Sequence, residues 1–235
     1  MFKTEQTLPF SLLRKYRPLK QRAKNEKPFV ESIYLKFEDC VFAVPKHHLL
    51  RQGIFRTVFA IKPEPDEPVV GLTEDSPLTI PDVPESWFRA FLKVLHPQEE
   101  PPNYDSMHLF EWMATLRLST MWGFKDIRRL AIERMENFPV NGTCCHMTWL
   151  DYLIYGRDNH IRDWFKDGCV AIVEREQPID VGQAESMGLE MAIRLCKLRE
   201  ERLRRSDSFC TESAVEREFE IELAEAWKEG EEMDS

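Results

Sequence analysis

The first clear pattern along the chain begins at Ser32, where apolar Ile33, Leu35 and Phe37 alternate with Tyr34, Lys36 and Glu38. A period of two places the apolar set on one face of a half-buried strand. Glu38-Asp39 supplies a turn, and Cys40, Phe42 and Val44 resume the alternation until Pro45, which has no N–H for a ladder. The segment therefore predicts a β-hairpin. A short helix is predicted over 47–59. Residues 62–77 then become rich in proline and acid (Pro63, Glu64, Pro65, Asp66, Glu67, Pro68), the composition of an exposed loop, and Leu78-Thr79-Ile80 reads as a third strand.

After this strand the period changes. Pro84 suits a first helical position, and Phe88, Phe91, Leu92 and Leu95 recur at helical spacing, so this helix lays one apolar stripe on the sheet. Pro97, Pro101 and Pro102 end it. Leu109, Trp112, Met113 and Leu116 repeat the stripe, as do Ile127, Leu130, Ala131 and Met135 after a break at Gly123. Further on the pattern is helical throughout. Segments at 149–155 and 161–173 lead to Asp180, placed to cap a helix with Gln183 three residues on. That helix carries Ala184, Met187, Met191, Leu195 and Leu198, a near-heptad stripe that serves either a core against a neighbouring helix or a seam between two copies. Val215, Phe219, Leu223 and Ala226 or Trp227 recur at helical spacing amid glutamates, an amphipathic helix that packs back on the body or docks in a partner's groove.

At 235 residues and 43% apolar content, the chain can bury a core without disulfides or metal, and two compact units are expected. No run approaches the ~18 to 20 apolar residues a bilayer demands, and residues 1–10 carry Lys3 and Glu5 without an apolar leader stretch. The expectation is a protein of the cytoplasm or nucleus with no membrane partner. Six scattered cysteines (Cys40, Cys144, Cys145, Cys169, Cys196, Cys210) then read as thiols in a reducing compartment, and Asn141-Gly142-Thr143 as a turn.

Charge is distributed unevenly. Residues 1–30 hold eight basic side chains against Glu5 and Glu26, whereas residues 206–235 hold eleven acidic ones against Arg217 and Lys228. This asymmetry sets off a basic arm (1–27) and an acidic tail (206–235), between which the element pattern places an α+β domain (28–135) and a helical extension (136–205).

Candidate chemistry is sparse. Cys144-Cys145-His146 lacks the second ligand pair that a structural zinc needs, and adjacent cysteines do not both reach one ion easily. His47-His48 point about 100° apart on a helix, which suits a solvated helix start better than a ligand pair. With nine glycines and no phosphate-loop, nucleophile-elbow or His-Glu-x-x-His pattern, neither an enzyme nor a cofactor is expected. Around Tyr16, the cations Arg14, Lys15, Arg17, Lys20, Arg22 and Lys24 suit phosphate contact or nuclear import, or else a solvated arm. A pI near 5.3 argues against nucleic acid as the main partner.

The run Phe42-Ala43-Val44-Pro45-Lys46, then Leu49-Leu50, then Ile54-Phe55-Arg56-Thr57-Val58-Phe59, resembles the BTB/POZ domain in the version common in basidiomycete fungi. The likeness continues through Leu78 to Val83 and Phe88 to Pro97, with Ala90-Phe91-Leu92 and Leu95-His96-Pro97 at the family's helix motif. Leu116 to Phe124 is similar to the fungal "L-x-L-A-T-M-W-x-F" stretch, and Met187 to Ala192 with Leu198-Arg199-Glu200 to its helical C-terminal signature, so the resemblance spans roughly 31–200. It implies a small sheet with a hairpin, covered by helices, followed by an α-helical region. It also implies association with protein partners, foremost as a homodimer. The apolar first strand and first helical region (Ile33, Leu35, Phe37, Leu49, Leu50, Phe55, Phe59) are the expected contact surface.

Two departures bear on mechanism. The Asp and His that many animal members place on the first two strands fall here at Ser32 and Pro45. The apolar-x-Glu element of ubiquitin-ligase adaptors has no clean counterpart, because Ile61-Lys62-Pro63-Glu64 misses its spacing. An adaptor that binds a cullin, or a nuclear chromatin-associated regulator, are the alternatives to a plain association module.

Overall fold

The computed structural model describes residues 31–59, 70–99, 101–138, 146–205 and 208–234. The fold is mixed α+β, in two compact units divided along the chain between Asn137 and Phe138. The basic arm lies outside the described residues.

The first unit opens with β1 (Ser32–Phe37) and β2 (Cys40–Pro45), paired antiparallel with Ile33 opposite Val44 and Leu35 opposite Phe42. Glu38 takes a positive φ of 51° in the turn between them. Next come α1 (Lys46–Leu49), α2 (Ile54–Val58) and β3 (Leu78–Thr79), which pairs parallel to β1 and gives the order β2-β1-β3. Helices α3 (Glu85–Leu95), α4 (Leu109–Trp122) and α5 (Lys125–Glu136) complete the unit. The period-two expectation holds: Ile33, Leu35 and Phe37 are each 0% exposed.

Aromatic rings fill this core. Phe37 stacks on Phe88 at 4.1 Å between centroids, and the Trp122 indole meets Phe55 at 5.3 Å and Phe91 at 5.2 Å, both edge-on. Each buried ring or leucine contributes roughly 1.5–3 kcal/mol relative to exposure, so this cluster is the main force holding sheet to helices.

Three expectations need correction. The helix expected over 47–59 is two short pieces, because the chain turns at Gly53 with φ +76°. Pro84 is the N-cap of α3 with ψ 141°, not its first helical residue. Part of the 62–77 loop is tied to the sheet: the Tyr34 amide donates to the Gly71 carbonyl at 2.8 Å, and Thr73 and Ser76 form a bridge. Residues 62–69 of that loop lie outside the described residues.

The second unit is helical among the described residues: α6 (Trp149–Asp158), α7 (Arg162–Glu174), α8 (Val181–Met187), α9 (Leu189–Arg205), α10 (Thr211–Glu218) and α11 (Glu220–Asp234). Helices α6 and α7 cross with their backbones nearly touching. A Cβ on Gly156 would overlap the backbone of Phe165, and one on Gly168 the backbone of Leu153, so only glycine admits the approach. Asp180 and Gln183 form the expected reciprocal capping box.

The helix expected to run from there through Leu198 is broken at Gly188, where φ is +93°. Its near-heptad stripe faces inward nonetheless. Met187, Met191, Leu195 and Leu198 are buried with Phe165, Cys169 and Ile172, so the stripe is core and not a seam between copies. Val215, Phe219 and Leu223 enter the same cluster, which makes the acidic segment an integral part of this unit. Ala226 is buried, whereas Trp227 remains 53% exposed with the Arg162 guanidinium 5.9 Å from its ring.

Candidate interaction surface

The residues expected to form a contact surface are mostly committed elsewhere. Ile33, Leu35, Phe37, Leu49 and Phe55 lie in the hydrophobic core of the first unit, and Leu50 and Phe59 are half-buried against it. This corrects the expected surface. Alternation and helical spacing identify which residues share a face, but α3 and α4 already cover that face within the same chain. The cationic candidates Arg14, Lys15, Arg17, Lys20, Arg22 and Lys24 lie outside the described residues, as do Cys144 and Cys145; His146 is exposed.

His47 and His48 do come together with a third imidazole that the sequence reading did not connect to them. The His47 and His48 rings lie 4.1 Å apart, and His48 is 4.5 Å from His96 at the end of α3. Burial, then the neighbouring His47, His96 and Arg51, push the His48 pKa below its usual value. Its Nδ1 is buried without a hydrogen-bond partner. These surroundings disfavour its charged form. Among the described residues, no group of three or more His, Cys, Asp or Glu side chains is placed to hold a metal ion.

Burial pushes the Cys169 thiol far up, and donation to the Glu85 carboxylate raises the Cys40 thiol, so neither is poised as a thiolate. A cavity of about 630 Å³ is lined by Glu99, Pro101, Pro102, Asn103, Tyr104, Asp105 and Arg134. Arg134 packs over the Tyr104 ring at 5.7 Å, and burial raises the Tyr104 phenol. No helix among the described residues is long and apolar enough to cross a membrane.

What the molecule does offer is exposed apolar area on helices. In the second unit Leu189 is 71% exposed, Ile193 60% and Leu203 75%, all on α9, with Val181 on α8 and Ile221 on α11 also exposed. Cys196 lies exposed on α9 as well. The sequence carried a signal for these residues: they repeat at spacings of four, three and seven on the side of α9 opposite Met191, Leu195 and Leu198. The inward stripe, richer in large side chains, drew the assignment.

Helix α9 is held rigidly from behind. Arg194 donates from Nε to Glu218 Oε1 at 3.2 Å, pairs with Glu222, donates to the Glu218 carbonyl and covers the Phe219 ring at 4.2 Å. Burial raises the Glu222 carboxyl, but the Arg194 guanidinium outweighs that and holds it below the ordinary carboxylate range. Arg199 donates to the carbonyls of Ile172 and Glu176. The outer face of α9 is thus presented on a fixed support.

No protein-family model, curated protein or solved structure matches this chain.

Proposed function

We propose that this chain is a non-catalytic protein-association module of the BTB/POZ type that pairs with a second copy of itself. The order of elements in the first unit supports the assignment: hairpin, two short helices, a strand parallel to β1, one helix and then a helix pair. The motif residues that carried the resemblance stand at its structural joints. Val44 and Pro45 close the hairpin, Phe55 and Trp122 meet at 5.3 Å, and Phe88 and Phe91 line the sheet.

One observation carries the association reading: Leu189, Ile193 and Leu203, 60% or more exposed, stand on one helix whose other side is locked to its own unit. Large apolar residues grouped on a rigid surface mark contact sites. Light scattering at micromolar concentration tests it. The mass is expected to rise with concentration from 27.8 kDa toward twice that value, and a mass of 27.8 kDa throughout that range would overturn self-association.

A further inference from the structure

Helix α9 is 17 residues long, about 25 Å. Its buried side is set by Met191, Ala192, Leu195 and Leu198. At 100° per residue, Leu189, Ile193, Cys196 and Leu203 fall within about 80° of one another on the outward side. They form a straight apolar seam at a four, three and seven spacing, the period with which two helices lie along each other.

The seam has an internal symmetry. Leu189 stands seven residues before Cys196 and Leu203 seven residues after it. If two α9 helices run antiparallel with Cys196 opposite Cys196, each Leu189 meets the other copy's Leu203, about 10 Å from the centre on either side. Ile193 then lies at the level of Arg199 and Glu200 of the other copy, of which Glu200 is exposed and offers its aliphatic stem.

Charge points to the same arrangement. The first turn of α9 carries Glu190 and the last turn Arg202, Arg204 and Arg205. Running antiparallel sets the acidic start of one helix beside the basic end of the other, whereas running parallel sets like beside like. Lys197, near the centre, is already tied to Glu218 of its own chain at 3.4 Å and does not oppose the approach.

We infer that the outer face of α9, centred on Cys196, is an antiparallel docking surface for the same helix of a second copy. The inference rests on the self-association proposed above and assigns it to a helix of the second unit. A single-helix seam falls short of the ~800 Å² per partner typical of stable complexes, so the pair is a weak dimer that dissociates in the micromolar range.

The test uses the full chain. Sedimentation across the micromolar range compares wild type with Ile193→Glu, Leu203→Glu and, as a control on another exposed apolar residue, Ile221→Glu. A short bis-maleimide linker, followed by peptide mass spectrometry, reports what lies opposite Cys196. Expected are a concentration-dependent dimer, an increase of about tenfold or more in its dissociation constant for Ile193→Glu and Leu203→Glu, no change for Ile221→Glu, and a Cys196-to-Cys196 crosslink. A wild-type dimer that survives both variants, or a linker that joins Cys196 to a different cysteine of its own chain, overturns this seam while leaving self-association standing. A wild-type chain that stays at 27.8 kDa overturns both.

Discussion

Gly53 lies directly against the carbonyl of Trp122, with φ +76° and so little room that a Cβ would penetrate the carbonyl oxygen. This contact seats the α1–α2 corner on the end of α4. Gly53→Ala meets both a left-handed backbone and a clash with main chain that has no side-chain freedom to yield. A loss of ~2–4 kcal/mol in urea unfolding is expected, and a loss below ~1 kcal/mol would show that the corner is not held there.

Leu35 separates core from surface in the first unit. It is 0% exposed between Phe42 on β2 and Leu78 on β3. Leu35→Ala is expected to cost ~2–5 kcal/mol of folding stability and to leave self-association of the folded fraction unchanged. A shift in sedimentation without a shift in the unfolding midpoint would return Leu35 to a contact surface.

Arg194 fastens α10 and α11 to α9 through Glu218, Glu222 and the Phe219 ring. Arg194→Ala leaves the half-buried Glu222 without its cation and Glu218 with Lys197 alone, a loss of ~1–3 kcal/mol. Limited proteolysis should then cut between 206 and 234 sooner than in wild type. Equal cutting rates would mean that apolar packing alone holds the tail.

Acid should loosen the same junction. The folded-state pKa of Glu222 lies below its unfolded value, so its contribution is present above about pH 4.3 and is lost as pH falls through the lowered value. Glu222→Gln is expected to flatten the fall in melting temperature below that pH. An unchanged slope would remove Glu222 from the acid response.

His48 acts in a different window. Its folded pKa lies below the unfolded value of about 6.5, so the unfolded chain binds the proton first and stability falls as pH drops below about 6.5. His47, His96 and Arg51 add repulsion once His48 is charged. Comparing urea midpoints at pH 7.5 and 5.5 checks this. His48→Asn should lessen the difference, and an undiminished one would place the effect elsewhere.

Much of the architecture was legible along the chain. Alternation located β1 and β2 and their buried face, helical spacing located the apolar stripes of α3, α4 and α5, and the Asp180-Gln183 box placed the start of α8. These are local consequences of where side chains point at periods of 2 and 3.6, so neighbours in sequence suffice to decide them. The breaks at Gly53 and Gly188 were not legible, because glycine permits a positive φ without announcing it.

Only the tertiary structure decided which apolar stripe was already occupied. Ile33 to Phe37 and Met187 to Leu198 look like contact surface and like core equally well in one dimension, since periodicity names a face but not what lies against it. Folding brought α3 and α4 over the first and α7 and α10 over the second, and left Leu189, Ile193 and Leu203 uncovered on the other side of α9. The meeting of His48 with His96, and of Arg194 with Glu222, likewise joins residues 48 and 28 positions apart, a distance that only the folded chain closes.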